Sequence, residues 1–205
     1  MKYIIIYFIC FLIFCAWRFY EQRKSEKIEK KASDEFWARE QEANNTRKKD
    51  ISHLPLLQVE ESQIPVATTT DESVLTYIHQ ISEIIKSPMI DLSEYSNTDL
   101  KLAYGVANFK TLSEYDENYS TFLLTLSELA RAYTNAHFLS QARDCYKLAL
   151  YYGSEKQSDY TELAQVYQKM NTPQEIPLLI REVEEGCHPH KSMIVKALLE
   201  VQENN

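Results

Sequence analysis

The residues best suited by type to do chemistry are Cys187, His188 and His190, which stand within four positions of one another. Thiolate and imidazole groups are the usual zinc ligands in proteins. A structural zinc site needs a second pair of ligands at similar spacing, and this sequence has no such pair. A turn between two helices accounts equally well for Pro189 and for exposed histidines. The cluster therefore favours a turn, and we expect neither a metal nor a cofactor.

Motifs that mark enzymes are missing from the sequence. It has no glycine-rich phosphate-binding loop, no nucleophile elbow and no pair of histidines placed together on a helix. Its 30 Asp and Glu residues are scattered, and nothing in their spacing brings two of them together as an acid and a base. We therefore expect no catalytic residues and no enzymatic activity.

The composition favours helices and a protein partner. Three glycines and 14 tyrosines occur in 205 residues, and sheets need more of the turns that glycine makes easily. The net charge of -8 is unevenly spread, because residues 51–205 hold 11 Lys and Arg against 22 Asp and Glu. Such a domain repels a phosphate backbone, which argues against nucleic acid. A protein or peptide with a basic surface is the better electrostatic match.

Residues 126–153 carry the strongest pattern, that of two short helices folded back on each other. On the first helix, a large residue, Leu, a small residue and an aromatic residue follow helical spacing, at Leu126, Leu129, Ala130 and Tyr133. On the second helix, a small, an aromatic and a small residue share one face, at Ala142, Tyr146 and Ala149. The first-helix pattern recurs 34 positions later, at Tyr160, Leu163, Ala164 and Tyr167.

This pattern resembles the tetratricopeptide repeat, a helix-turn-helix unit of 34 residues. The resemblance implies an all-α fold, a helical-hairpin array of antiparallel helix pairs over residues 71–205, with its clearest repeats at 123–156 and 157–188. At 34 residues before Leu126–Tyr133 the pattern fails, because Asp99 occupies the position of the aromatic residue. Residues 71–117 are therefore a degenerate repeat or a different helical layer, and a loop over 105–114 is expected before a helix that begins near Asn118. Residues 189–202 have one apolar face and predict a C-terminal capping helix.

The resemblance also implies a binding site. In tetratricopeptide proteins the ligand usually lies in a concave groove lined by the first helix of each pair. On the matching positions the groove residues are Ser127, Arg131, Thr134, Asn135, Thr161, Gln165, Gln168 and Lys169. Among them, the two cations can pair with a carboxylate and the two amides, Asn135 and Gln165, can bond a peptide backbone. Each is also typical of an ordinary solvent-facing helix surface.

The N-terminal part predicts a membrane anchor. Residues 3–17 contain no charged side chain, and Trp17 and Tyr20 are typical of a membrane interface. We expect residues 1–20 to form one transmembrane helix rather than a cleaved signal, because no small-residue cleavage pattern follows them. Residues 21–49 carry many charges of both signs and predict a helical stalk. Residues 50–70, with two prolines and three consecutive threonines, predict a linker.

Charges around the apolar run predict its orientation. Lys2 precedes the run, and six basic residues follow it closely, at Arg18, Arg23, Lys24, Lys27, Lys30 and Lys31. Because such residues concentrate on the cytoplasmic side, we expect a single-pass protein of the cell membrane with a cytoplasmic C-terminal domain. The short N-terminal tail is also found in anchors that send a domain outward.

These features predict a membrane-tethered, tetratricopeptide-like interaction module that acts as an adaptor or scaffold. One alternative is a structural subunit of a membrane assembly, whose helices associate with like or unlike subunits without using a groove. Another is an extracytoplasmic accessory protein of the same architecture.

Overall fold

In the computed structural model the backbone is described for residues 2–203, and the side chains for residues 11 and 14–203. Within that part the chain forms α-helices, two short 3-10 helices and no strand, which confirms the all-α class. The α-helices are α1 (Lys2–Asn45), α2 (Glu72–Ile84), α3 (Asn97–Tyr104), α4 (Phe109–Asn135), α5 (Leu139–Tyr151), α6 (Gln157–Lys169), α7 (Glu175–Glu185) and α8 (Lys191–Glu203). The 3-10 helices are Glu61–Gln63 and Val106–Asn108.

Helix α1 covers the stretch in which an anchor and a stalk are predicted. The side chains at positions 1–10, 12 and 13 lie outside the described part, and they include most of the side chains of the predicted anchor over residues 1–20. Among the described residues, no helix combines the length and the apolar character needed to cross a membrane. Residues 21–45 are helical, and their side chains are exposed except at Glu40 and Ala43.

Two compact units make up the chain: unit 1 comprises residues 1–53 and 95–110, and unit 2 comprises residues 54–94 and 111–205. In unit 1 the C-terminal end of α1 packs against α3. Arg39 Nη2 lies 2.5 Å from Asp99 Oδ1, and Glu40 accepts hydrogen bonds from Thr98 and Lys101. These bonds hold the pKa of the Glu40 carboxyl below its usual value. The Arg39–Asp99 ion pair is exposed and contributes little free energy, whereas the Glu40–Lys101 pair is mostly shielded from solvent and Ala43 is buried.

Gly105 lets the chain leave α3 against the segment that follows α1. Its φ is +88°, and its N–H donates to Lys101 O at 2.8 Å, closing the helix. A Cβ at this position would lie 2.2 Å from Arg47 O. Beside it, Lys49 N–H donates to Tyr104 O at 3.0 Å. Only glycine tolerates both this backbone angle and this close approach.

Unit 2 is built around the residues that carry the repeat pattern. All eleven are buried: Leu126, Leu129, Ala130, Tyr133, Ala142, Tyr146, Ala149, Tyr160, Leu163, Ala164 and Tyr167. The predicted apolar stripes are thus confirmed as core faces. Burial of one large side chain such as Leu126 stabilises the fold by about 1.5–3 kcal/mol. Helix α6 packs against α5, α7 and α8, and α8 is held through Ile194 and Leu198.

Helix α4 begins earlier than its pattern predicts. Its first residue is Phe109 rather than one near Asn118, so most of the loop predicted over residues 105–114 is helical. Leu112 and Tyr119 are buried and continue the stripe of Leu126 towards the N-terminus at spacings of seven residues. Polar residues between these two positions hid the stripe, because they occupy the exposed faces of the same helix.

Part of the segment predicted as a linker, residues 50–70, packs into unit 2. Three of its apolar side chains belong to the core: Val59, Ile64 and Ala67. The hydroxyl of Tyr133 donates to Pro65 O at 2.9 Å and accepts from Ala67 N–H at 3.2 Å. Leu57 N–H donates to Met89 O at 2.8 Å. The linker prediction is wrong for this part because distant residues satisfy its backbone, and such contacts leave no periodic pattern in the sequence.

Replacing Gly105 by alanine is expected to destabilise unit 1. The φ of +88° strains any L residue by about 1–3 kcal/mol, and the clash with Arg47 O adds to that cost. Hydrogen exchange should accelerate in residues 43–49 and 97–108. Gly186→Ala is the matched control, because its φ is -73° and its added Cβ would chiefly meet the flexible end of His188. Unchanged exchange in Gly105→Ala would contradict this account.

Candidate functional site

Helices α4, α5 and α6 enclose a cavity of about 210 Å³, which we call the α4–α6 groove. Its lining residues are Arg131, Thr134, Asn135, Tyr146, Glu162, Gln165 and Lys169. Five of the eight residues predicted to form a groove are among them: Arg131, Thr134, Asn135, Gln165 and Lys169. The structure therefore brings together residues that lie on two helices about thirty positions apart in the sequence.

Two side-chain contacts set the position of α6 along α4. Ser127 meets Asp159, with Oγ and Oδ2 2.9 Å apart, and Arg131 meets Glu162 one turn later. Both contacts advance towards the C-terminus along both helices, so α4 and α6 run in the same direction. Because residues three and four apart share a helix face, the residues beyond Arg131 and Glu162 also face each other.

Arg131 forms the centre of an ion-pair network in the groove. Its Nη2 and Nε donate to the two carboxylate oxygens of Glu162 at 2.9 and 3.2 Å, and its Nη1 donates to Glu128 Oε1 at 2.6 Å. The Tyr146 hydroxyl donates to the same Glu162 carboxylate. The hydrogen bonds to Glu162 and Glu128 raise the pKa of the Arg131 guanidinium, and burial followed by the hydrogen bond to Glu162 raises the pKa of Tyr146. Two-point Arg–carboxylate pairing is geometrically rigid, so this wall of the groove is preformed.

The network changes what Arg131 can do for a ligand. The sequence predicts that Arg131 can pair with a carboxylate of a ligand. In the structure, the Arg131 guanidinium already pairs with Glu128 and Glu162. Lys169 is exposed and forms no ion pair with any described residue, so it supplies the available cation. Asn135 and Gln165 are also exposed and present amides that donate and accept.

The other three predicted groove residues lie elsewhere. Ser127 is 2% exposed, and its hydroxyl bonds Asp159 and Leu123 O, so it belongs to the core. The Thr161 hydroxyl bonds Gln157 O and Ser158 O in its own helix. The Gln168 amide donates to Val201 O of α8 at 2.6 Å. The repeat register assigned these three residues to the groove. In the structure, each polar side chain instead donates a hydrogen bond to an acceptor of the fold.

Sequence reasoning missed Asp159, which holds the groove helices in register. Its side chain is fully buried, and Oδ2 accepts from Ser127 of α4 and from Ser154 in the turn before α6. Its Oδ1 has no hydrogen-bond partner among the described residues. An Asp in the first turn of a helix is common at solvent-exposed positions, so residue type alone gave no signal of burial.

The Cys-His-Pro-His cluster lies between α7 and α8. The His188 ring packs edge-on against Tyr160 with centroids 5.8 Å apart, and Cys187 is exposed. Within the described part of the chain, no three His, Cys, Asp or Glu side chains are grouped so as to hold a metal ion.

Comparison with known proteins assigns this chain to no family. No protein-family model, curated protein or solved structure matches this chain significantly. The assignment of the groove therefore depends on its residues and geometry.

Replacing Asp159 by alanine is expected to lower the free energy of unfolding of unit 2 by about 2 kcal/mol, because two hydrogen bonds to a carboxylate are lost and Ser154 is left buried. Urea denaturation followed by circular dichroism measures the change. Glu155→Ala, four positions earlier and exposed, removes the same charge and is expected to change stability by less than about 0.5 kcal/mol. Equal losses in both variants would show that only net charge matters.

Proposed function

We propose that this chain is a membrane-tethered interaction module of tetratricopeptide-like architecture, which binds a protein partner in the α4–α6 groove and catalyses no reaction. The observation that carries the proposal is the meeting of five polar residues, selected by repeat register alone, around one cavity.

The packing of unit 2 supports the repeat architecture. Helices α4 and α6 are the first helices of successive pairs and run in the same direction, as the contacts of Ser127 and Arg131 require. Helix α5 connects them and packs against α6. Helix α7 follows α6 as its partner, and α8 closes the array by packing against both.

The chemistry of the groove supports a peptide ligand. Its volume of about 210 Å³ accommodates one or two side chains rather than a whole cofactor, since cofactor pockets measure roughly 300–1,000 Å³. The Lys169 cation and the amides of Asn135 and Gln165 can bond carbonyl groups of an extended chain. The Arg131–Glu162–Tyr146 network links the helices that carry these groups and keeps the groove rigid, which lowers the cost of binding.

The sequence supports the membrane tether. Fifteen uncharged, mostly apolar residues precede the basic cluster that begins at Arg18. The excess of Lys and Arg after the apolar run favours a cytoplasmic position for unit 2.

A structural subunit of a membrane assembly is the second candidate, favoured by apolar residues exposed on the last two helices. These are Leu178, Met193 and Leu199, exposed by 54%, 57% and 45%. Single exposed apolar residues are ordinary, but three on adjacent helices at one end of the array suit contact with another subunit.

Site-specific photo-crosslinking in intact membranes tests the groove. A photoreactive residue in place of Gln165 is expected to capture one protein of different mass, whereas the same residue at Ser120, which is also exposed, is expected not to. Adding Lys169→Glu should lower the yield at Gln165 about fivefold, because it reverses the available cation. Lys196→Glu, an equal charge change on α8, should leave the yield unchanged.

Other outcomes would point away from the adaptor. A photoreactive residue can also be placed at Leu199. If it crosslinks more efficiently than the one at Gln165, and only to further copies of this chain, the result would support the structural subunit. Equal capture at Gln165 and Ser120 would mean that the groove has no specific role. Digestion of unit 2 by protease added outside intact cells would place it on the extracytoplasmic side.

A further inference from the structure

A second cavity of about 250 Å³ lies between α5, α6 and α7. It is lined by Lys147, Leu150, Tyr151, Tyr160, Leu163, Tyr167, Leu179, Glu182 and His188. Helix α6 contributes to both cavities, with Glu162, Gln165 and Lys169 in the groove and Tyr160, Leu163 and Tyr167 here. At 100° per residue these two sets are separated by roughly 160° around the helix. The second cavity, which we call the tyrosine cavity, is therefore distinct from the α4–α6 groove.

Aromatic rings dominate the walls of the tyrosine cavity. Tyr160 and Tyr167 are buried, whereas Tyr151 is 79% exposed and meets Tyr152 in a T-shaped contact, with ring centroids 5.2 Å apart. A large aromatic side chain left this exposed at the mouth of a cavity offers a free face for stacking. The volume suits one long side chain of a partner, which is the usual size of an anchoring pocket at a protein interface.

The electrostatic environment of the cavity combines one lining carboxylate, Glu182, with one lining ammonium, Lys147, inside an acidic unit. The Glu182 carboxylate lies at the cavity and forms no ion pair with any described residue. Burial, followed by the charges of Glu182, Glu155 and Asp159, raises the pKa of Tyr160 to about 12. Unit 2 as a whole holds 9 Lys and Arg against 21 Asp and Glu. A cationic group is therefore attracted to the unit as a whole and, within the cavity, to the Glu182 carboxylate.

We propose that the tyrosine cavity receives an arginine side chain from a basic protein partner, with the guanidinium stacked on the tyrosine rings and paired with Glu182. Arginine fits better than lysine because its planar, weakly hydrated guanidinium stacks on aromatic faces and pairs with a carboxylate at two points. Its aliphatic stem would lie along the leucines of the wall.

Lys147 provides a second test, in which removal of a charged side chain should strengthen binding rather than weaken it. It lines the same cavity from α5 and forms no ion pair with any described residue. A guanidinium entering the cavity meets this like charge, so removal of Lys147 should strengthen binding. An anionic ligand would show the reverse, since Lys147 would then attract it and Glu182 would repel it.

The full-length protein in neutral detergent micelles, with isotope-labelled tyrosine rings, is the sample for the test. The probe is acetyl-Gly-Arg-Gly-amide, and acetyl-Gly-Gln-Gly-amide and acetyl-Gly-Glu-Gly-amide are the matched controls. The arginine peptide is expected to shift the ring signals of Tyr151 and Tyr160 in a saturable way, and the other two peptides are not. Glu182→Gln should weaken binding about threefold to tenfold, and Tyr151→Ala about threefold.

Two control variants separate the cavity from general attraction. Glu185→Gln lies on the same helix, is also exposed and makes the same change in net charge, so it should alter the affinity by less than about twofold. Lys147→Gln should tighten binding about threefold, and Lys196→Gln on α8 should have less effect. All five substituted positions are exposed, so the variants are expected to fold, and circular dichroism checks this.

Three results would overturn the proposal. Equal weakening by Glu182→Gln and Glu185→Gln would show attraction to the whole acidic unit. Preferential binding of the glutamate peptide, with weaker binding after Lys147→Gln, would show an anion site. The absence of any saturable shift at the highest soluble peptide concentration would show that the cavity does not receive arginine.

Discussion

The position of α6 against α4 depends on one buried carboxylate. A carboxylate is costly to remove from water unless donors surround it, and Asp159 is fully buried with hydroxyl groups from Ser127 and Ser154. Ser154 belongs to the turn before α6, whereas Ser127 belongs to α4 and reaches Asp159 in the observed register of the two helices. In that register Arg131 comes within hydrogen-bond distance of Glu162, and the residues beyond them enclose the α4–α6 groove. The polar wall of the candidate site is thus a consequence of a constraint inside the core.

Helix α6 has different chemistry on the two sides that line cavities. Towards α4 it presents Glu162, Gln165 and Lys169, and the ion-pair network holds this side rigid. Towards α5 and α7 it presents Tyr160 and Tyr167 beside the carboxylate of Glu182. Because one helix carries both sides, any displacement of α6 changes both cavities together. A partner bound in both the groove and the tyrosine cavity would therefore contact two sides of the same helix.

Much of the fold follows from helical spacing, and the predictions that were wrong have a common cause. The buried stripes on α4, α5 and α6 appear in the sequence because a helix repeats every 3.6 residues. The carboxylate of Asp71 caps α2 by accepting from Val74 N–H at 3.1 Å, and Asp before an apolar helical stripe is a usual start signal for a helix. Residues 59–67 were predicted to be a linker, yet Val59, Ile64 and Ala67 are part of the core. Their burial depends on distant partners such as Tyr133, and contacts of that kind have no period.

By itself, the sequence determined the all-α class, the apolar faces of α4, α5 and α6, and the side of α4 and α6 on which polar residues gather. Each of these depends on spacing within one helix, which the order of residues specifies directly. Only the tertiary structure decided that Arg131 is bound by Glu128 and Glu162, that Ser127 is buried and that three tyrosines line a second cavity. Each of these depends on which side chain of another helix comes within a few ångströms. Helical spacing within a single segment carries no information about that distance.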